Sequence, residues 1–232
     1  MKLKVILFIA IATLINQTTF AQYNSGNKKK GGNGAREPHH SVIKGDFKLP
    51  TTLGNEAFRK VINGIMDSDL EYNYRLTNNL RFGIGAKYSL WDIDVNAFPS
   101  TKVNGKIQNV NPFISVGMVF PQDQQFYIET EMKFGYNLME TSSNIYNSYK
   151  QTAINFEPKV GFYLQTTDLL AFGLTVNYNY IATNFSPANL NLNSFPTVSA
   201  GGSDGNMQYF SIGFGFYTFI PNADDKAARE HN

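Results

Sequence analysis

The chain has 232 residues with 20 Lys and Arg against 18 Asp and Glu, a formal charge of +2, and no cysteine. Near-neutral charge argues against a nucleic-acid binder, which needs a basic patch, and the lack of cysteine excludes a disulfide scaffold, a thiolate metal site and a cysteine nucleophile. Only 16% of the residues are charged, against about 25% in a typical globular domain, while 14% are aromatic.

The first residues have the pattern of an export signal. Lys2 and Lys4 precede the apolar run Val5–Ile15, and small residues flank a cleavage position before Gln22. An N-terminal membrane anchor is the alternative, but the run is shorter than the ~20 residues that a membrane-spanning helix needs. We therefore predict a signal peptide over residues 1–21 and a mature protein outside the cytoplasm.

Residues 22–40 have a different composition, rich in Asn, Gly and Lys, with too few apolar residues for a core. We predict a disordered, basic periplasmic tether, in which the run Lys28–Lys30 either contacts anionic headgroups or peptidoglycan or is simply solvated; the composition favours solvation. His39 and His40 lack a third ligand nearby, so no metal site is predicted there. Residues 221–232 are predicted to form a periplasmic C-terminal tail.

From residue 66 onward the chain consists of segments in which apolar and polar side chains alternate, as in β-strands with two different faces. In the first of them Leu70, Tyr72 and Tyr74 alternate with charged and amide side chains. The clear segments are 66–76, 80–90, 107–120, 125–138, 150–164, 169–181 and 207–220. A weaker eighth segment sets Ile43, Phe47 and Leu49 opposite Lys44, Asp46 and Lys48.

The alternation changes after Leu90, where Trp91 and Ile93 are apolar and Asp92 and Asp94 are polar. If the strand continued without interruption, apolar side chains would move to the polar face and polar side chains to the apolar face at this position. We expect a β-bulge or the edge of the sheet at this position.

The chemistry of the two faces decides between a soluble and a membrane-embedded β protein. The apolar face carries bulky Phe, Tyr, Leu and Ile, and the polar face mixes charges with small Gly, Ser and Asn, as in a barrel whose outside meets lipid. The segments exceed the ~5–6 residues of soluble strands and suffice for the ~9–11 residues of a tilted spanning strand. A secreted sandwich or lipocalin-like barrel is the alternative. We predict an all-β, eight-stranded antiparallel transmembrane β-barrel with up-and-down meander topology over residues 41–220.

Short and long connections alternate along the chain, as the periplasmic turns and outer loops of outer-membrane barrels do. With both termini periplasmic the strand number must be even, which supports the weak first strand. Glycine, asparagine and serine in the last connection suggest mobility there. The short connections are 77–79, 121–124 and 166–168, and the long ones are 50–61, 96–106, 140–149 and 185–206.

This pattern resembles the small, single-chain eight-stranded outer-membrane β-barrel proteins of Gram-negative bacteria, especially those of the Bacteroidota. The closing segment Ser211–Phe219 looks like the C-terminal β-signal, with a polar residue, a glycine two residues later and aromatic positions near its end. Thr218 stands where that signal is usually apolar. The resemblance implies an integral outer-membrane protein that contacts lipid and, during biogenesis, the barrel-assembly machinery.

Charged side chains are predicted to face the interior, which in an eight-stranded barrel is just wide enough to be filled by side chains. Unpaired buried charge is costly, so we expect a salt-bridged plug rather than an ion-selective channel lining, and no general diffusion porin. The predicted lumen charges are Asp67, Asp69, Glu71, Glu129, Glu131, Glu157, Arg75, Arg81, Lys87, Lys133 and Lys159.

Catalytic groups are scarce in the predicted barrel. Outer-membrane barrel enzymes use a histidine as general base or acid, and the three histidines here are His39, His40 and His231. Asp92 and Asp94 are better explained as rim charges than as a catalytic pair. Gly83, Gly85, Gly213 and Gly215 lie within strands, where they thin the inner wall rather than bind phosphate. We predict no enzyme, and no catalytic, cofactor-binding or metal-binding residue.

Two functions are consistent with this sequence. The first is a structural or interaction barrel whose loops, tether or tail bind a surface ligand or an envelope protein partner. The alternative is transport of small hydrophobic molecules that enter the lumen and leave sideways into the membrane. Phe113 and Val119, apolar on the predicted inner face, motivate the alternative. No motif in the loops identifies a ligand.

Overall fold

The computed structural model describes residues 41–77, 79–99, 102–122, 125–145, 148–167, 169–199 and 201–220. The predicted signal peptide, tether and tail lie outside the described residues, as do all three histidines. Among the helices that are described, none is long and apolar enough to cross a membrane.

Within the described residues, eight strands form one sheet in which each strand pairs antiparallel with the next and β1 pairs with β8, closing the barrel. This confirms the predicted fold class and the weak first strand. The strands are β1 (Ser41–Gly54), β2 (Ile62–Arg75), β3 (Leu80–Ile93), β4 (Gly105–Pro121), β5 (Phe126–Ser143), β6 (Tyr149–Gln165), β7 (Leu170–Ile181) and β8 (Met207–Ile220). One short helix, α1 (Glu56–Val61), joins β1 to β2, and 3-10 turns lie at Val95–Ala97 and Pro187–Leu190.

The two faces of the sheet have the inverted polarity predicted for a membrane barrel. On the outer wall Phe214, Leu49 and Phe47 are 73%, 72% and 62% exposed, whereas Lys44 and Glu129 on the inner wall are fully buried. Such an outer wall would be unfavourable in water but is stable against lipid acyl chains. The barrel therefore places its apolar face toward the membrane and its charged face inside.

The connections divide the barrel into two ends. The turn end holds the short connections 76–79, 122–125 and 166–169, together with the start of β1 and the end of β8. The loop end holds the connections 55–61, 94–104, 144–148 and 182–206. The extents predicted for two of the long connections, 50–61 and 140–149, are therefore wrong, because β1 continues to Gly54, β5 continues to Ser143 and β6 begins at Tyr149.

The predicted change of phase after Leu90 is also wrong. β3 keeps its pairing with β4 through Asp92, and Trp91 and Ile93 stay on the inner face, 2% and 1% exposed. What changes is the chemistry of the inner wall, which turns from polar to apolar near the loop end. The register shift that does occur lies on the neighbouring strand, between Gly64 and Met66 of β2.

Candidate functional site

The middle of the lumen is filled by charged side chains. Ten of the eleven charges predicted to face the lumen are buried there; the exception is Arg75, which is half-buried at the turn-end rim and donates through Nε to the carbonyl of Thr77 at 3.0 Å. β1 contributes three more, which the sequence had placed on its polar face. The buried charges are Lys44, Asp46, Lys48, Asp67, Asp69, Glu71, Arg81, Lys87, Glu129, Glu131, Lys133, Glu157 and Lys159. They comprise seven acids and six bases, so they nearly neutralise one another.

Lysines join the acids of different strands into one network, which we call the charge network. Lys48 of β1 lies 2.6 Å from Asp69 of β2 and 3.5 Å from Glu157 of β6, so its contacts reach across the lumen. Lys159 lies 2.5 Å from Asp46 and 3.5 Å from Glu131. Lys44 contacts Glu71, Glu129 and Glu131; Lys133 contacts Asp69, Glu71 and Glu131; and Lys87 contacts Glu157.

Glycines on the inner wall make room for this network, as predicted from their position within strands. A Cβ on Gly83 would clash with the Glu71 carboxylate and with the Ser115 hydroxyl. The Ser115 hydroxyl donates to that same carboxylate. Gly83 therefore lets a buried acid from β2 reach a partner on β4.

Aromatic side chains close the lumen at the turn end, in a cluster that we call the turn-end seal. The Tyr127 and Tyr163 rings stack at 5.4 Å, and the Tyr217 ring meets Tyr163 edge-on at 4.4 Å. The Tyr217 hydroxyl donates to Glu129, which ties this seal to the charge network. The buried members are Val42, Tyr127, Tyr163, Ala171, Tyr217 and Phe219, with Val119 and Leu169 packed against them.

A larger apolar cluster closes the loop end and explains why the inner wall of β3 turns apolar. Trp91 packs against Tyr209 at 4.7 Å and against Phe58 of α1 at 5.4 Å. We call this cluster the loop-end seal. Its buried members are Ala57, Phe58, Val61, Ile62, Trp91, Ile93, Ala97, Phe98, Val103, Ile107, Met139, Ala153, Ile181, Phe185, Leu190, Phe195, Met207 and Tyr209.

The connections above this seal form one packed unit, the loop assembly, which consists of α1 and the described residues of 94–104 and 182–206. Asn55 holds it together: its Oδ1 caps α1 by accepting from the Phe58 amide at 2.8 Å. Its Nδ2 donates to the carbonyls of Ser203, Gly205 and Phe185 at 2.5, 3.2 and 3.3 Å. The composition of the last loop suggested mobility, but the loop is instead fastened to α1 and buries Phe185.

A surface carboxylate makes a second link within the loop assembly. Glu56 accepts a hydrogen bond from the Ser199 hydroxyl and lies 2.7 Å from the ammonium of Lys60. These contacts lower the pKa of Glu56 from 4.5 to about 2, and the hydrogen bond with Lys60 has the largest effect.

The Glu56 contacts make the attachment of the last loop dependent on pH. A lowered pKa means that their stabilisation is complete above the ordinary value of 4.5 and is lost as the pH falls toward 2. We expect amide hydrogen exchange in 182–206, corrected for its intrinsic pH dependence, to be constant from neutral pH down to the ordinary pKa and faster below it. Glu56→Gln should abolish this dependence, while Glu140→Gln, which changes an exposed pair with Lys150 at 3.9 Å, should preserve it. Unchanged protection of the loop at low pH would contradict this role of Glu56.

The two apolar residues that motivated a transport function are both packed. Phe113 is 5% exposed, and the Lys133 ammonium lies 4.5 Å from the centre of its ring. Val119 packs against the turn-end seal. A groove beside Phe113 runs along the outer wall, between Pro112, Ile114, Phe134 and Tyr136.

The remaining candidates from the sequence have structural roles. Asp94 caps the turn Val95–Ala97 by accepting from the Asn96 amide at 2.9 Å, and Asp92 lies on the outer side of β3 opposite Lys106. Arg81 lies over the Tyr217 ring, with 5.6 Å between the guanidinium carbon and the ring centre. Among the described residues no group of three or more His, Cys, Asp or Glu could hold a metal ion.

No family model and no curated protein matches this chain. Solved structures do match it. Neisserial surface protein A is 14% identical, with a TM-score of 0.53 over 78% of this chain and 97% of that one. OprG from Pseudomonas aeruginosa is 12% identical, with a TM-score of 0.45 over 80% and 98%. The outer membrane protease OmpT from Escherichia coli is 12% identical, with a TM-score of 0.38 over 78% and 95%.

At these identities the likeness shows the fold alone, and the fold by itself does not decide whether such a barrel is an enzyme. The polarity of the wall gives the environment: apolar side chains face outward around the barrel and the buried charges face inward. The chain is thus an integral outer-membrane β-barrel of the Gram-negative envelope, in contact with lipid.

Proposed function

We propose that this protein is a non-enzymatic barrel with a plugged lumen that acts as a structural or interaction module of the outer membrane. The observation that carries the proposal is the succession of three barriers along the barrel axis: the turn-end seal, the charge network and the loop-end seal. With the interior occupied in this way, the surfaces left for function are the loop assembly and the periplasmic segments.

The loop assembly offers a partner a preformed surface. Side chains that are exposed on the last loop include Asn191, Asn193, Ser194 and Thr197. Asp204 is the single charged residue of the segment 182–206. Recognition by this last loop would rest on hydrogen bonds and shape more than on charge, whereas α1 and 94–104 add the exposed bases Arg59, Lys60 and Lys102.

Partner capture by two asparagine variants tests this proposal. The tagged protein, cross-linked on intact cells, should capture a reproducible partner. Asn55→Ala should lose this partner because the last loop is no longer held to α1. Asn184→Ala is the matched control, since Asn184 makes one longer contact, at 3.4 Å, to the Ser203 carbonyl. Recovery of the partner at equal yield by both variants would exclude the loop assembly as its site, and an absence of any reproducible partner would count against an interaction role.

A second expected result concerns conductance. Planar-bilayer recording of the purified barrel should show no stable open current, because three barriers lie in series along its axis. A steady conductance on the nanosiemens scale would overturn the plugged-barrel proposal.

The absence of an enzyme activity also belongs to this proposal. It is supported by the lack of histidine between residues 41 and 230 and by the engagement of the buried acids in ion pairs and hydrogen bonds. The packing of Phe113 and Val119 removes the sequence observation that had favoured transport of hydrophobic molecules.

The proposal includes the processing and assembly of the chain. Residues 1–21 would be removed on export, 22–40 would form the periplasmic tether and 221–232 the periplasmic tail. The segment Ser211–Phe219 would be read by the barrel-assembly machinery. The resemblance to Bacteroidota barrels supports an origin in that group.

A further inference from the structure

At the loop end, the pairing of β6 with β5 extends further along the barrel than its pairing with β7. β6 pairs with β5 up to Tyr149, opposite Thr141, whereas its pairing with β7 ends at Asn155, opposite Ile181. Beyond Ile181 the chain turns away into the last loop, with one further hydrogen bond from the Ala182 amide to the Ile154 carbonyl at 2.9 Å. Among the described residues, the segment Tyr149–Ala153 therefore has a neighbouring strand on one side only.

That last hydrogen bond also shows which peptide groups face the open side. In an antiparallel strand the amide and carbonyl of one residue point the same way, and those of the next residue point the opposite way. Since the Ile154 carbonyl points toward β7, the peptide groups of Thr152 and Lys150 point to the same side. Within the part of the chain that the structure describes, no backbone hydrogen bond reaches them.

The open edge is accessible from outside. Thr152 and Lys150 are both exposed, and the Lys150 side chain retains 75% of its surface. Its ion pair with Glu140, at 3.9 Å, is exposed and therefore weak, so the ammonium is available to another acid.

The other place where strands separate at the loop end is protected. β1 and β2 part above Lys48, but Pro50 has no amide hydrogen to offer and packs its carbonyl against Gly64. Thr52 bridges the gap by donating to the Ile62 carbonyl at 3.4 Å. Proline is a usual device against edge pairing, and the β6 edge lacks it.

We propose that the β6 edge Tyr149–Ala153 binds an extended segment of another protein at the cell surface by strand addition, with an acidic side chain opposite Lys150. Free amides and carbonyls at strand spacing are complementary to an extended polypeptide backbone, which supplies the affinity in this mode of recognition. This inference rests on the proposed interaction function and assigns it a site beside the loop assembly.

Hydrogen exchange tests the premise in the protein alone. In lipid nanodiscs the amides of Lys150 and Thr152 should exchange fast, and those of Gln151 and Ala153, which point toward β5, should exchange slowly. Equal protection of all four amides would overturn the proposal.

Peptide binding tests the inference itself. Random peptides displayed on phage would be selected on the barrel in nanodiscs, after removal of those that bind empty nanodiscs. Thr152→Pro removes one edge amide and should weaken the selected peptides at least about tenfold. Thr152→Val keeps the backbone and should leave affinity within about twofold, and Lys150→Glu should weaken the acidic peptides selectively.

The controls separate this inference from the proposed function. All variants should match the unmodified barrel in circular dichroism and in Trp91 fluorescence, which shows that the barrel is folded. Strand addition would be overturned if the selected peptides bound Thr152→Pro and the unmodified barrel with equal affinity, or if the library yielded no binder. Loss of the cellular partner by Asn55→Ala, with full retention by Thr152→Pro, would retain the interaction function and exclude this edge.

Discussion

Replacing Lys159 with methionine should destabilise the folded barrel by about 3–5 kcal/mol, the usual cost of removing one member of a buried ion pair. The Lys159 ammonium lies 2.5 Å from Asp46 and 3.5 Å from Glu131, and its side chain has no exposed surface. Methionine fills a similar volume, so the loss would come from the two carboxylates left with less compensation. Equilibrium unfolding in urea, followed by the fluorescence of Trp91, measures the change in the free energy of unfolding.

The same strand supplies the control for this prediction. Lys150→Met makes the identical substitution in β6 but removes an exposed pair with Glu140, which should cost no more than about 1 kcal/mol. Adding Asp46→Asn to Lys159→Met should restore part of the stability, because it removes a carboxylate that lost its partner. Equal losses from the two lysine variants would mean that the charge network does not stabilise the barrel.

The alternation of side chains was sufficient to predict the barrel, because lipid on one side and a polar interior on the other impose opposite chemistry on neighbouring residues. It failed where a third environment replaced the polar interior. Trp91 and Ile93 face inward like Lys87 and Ser89, but they meet the loop-end seal instead of charges. Because these inward apolar side chains imitate a change of face, the sequence predicted a bulge or sheet edge in β3. The register shift lies instead in β2.

The partners within the lumen could not be predicted from the pattern. Lys159 and Asp46 are 113 positions apart, and their contact depends on the stagger of strands around the whole barrel. The alternation identified the face of the barrel wall on which each charge lies. It did not identify the position along the barrel axis at which each charge meets its partner. The loop assembly was equally hidden, since Asn55 is one polar residue among many in the loops and its contacts reach residues as far away as Gly205.

Replacing Phe58 with alanine should cost about 3–5 kcal/mol, as for other large aromatic side chains removed from a packed core. Phe58 is fully buried and its ring lies 5.4 Å from Trp91 and 6.3 Å from Phe185. The loss of packing should also shift the emission of Trp91, the single tryptophan, to longer wavelength. Phe58→Leu, which retains part of the volume, should show a smaller change in both measurements. An unchanged Trp91 spectrum in Phe58→Ala would contradict the packing described for the loop-end seal.

The same variant separates the roles of the barriers in the lumen. Opening the loop-end seal leaves the charge network in place, because the ion pairs of Lys48 and Lys159 involve no residue of α1. Phe58→Ala should therefore remain without stable conductance in planar bilayers even though its stability falls. A current through Phe58→Ala alone would mean that the seal, and not the charge network, keeps the lumen shut. A current that needs Phe58→Ala and Lys159→Met together would mean that the loop-end seal and the charge network each block the passage of ions, and that the turn-end seal, which neither substitution changes, does not.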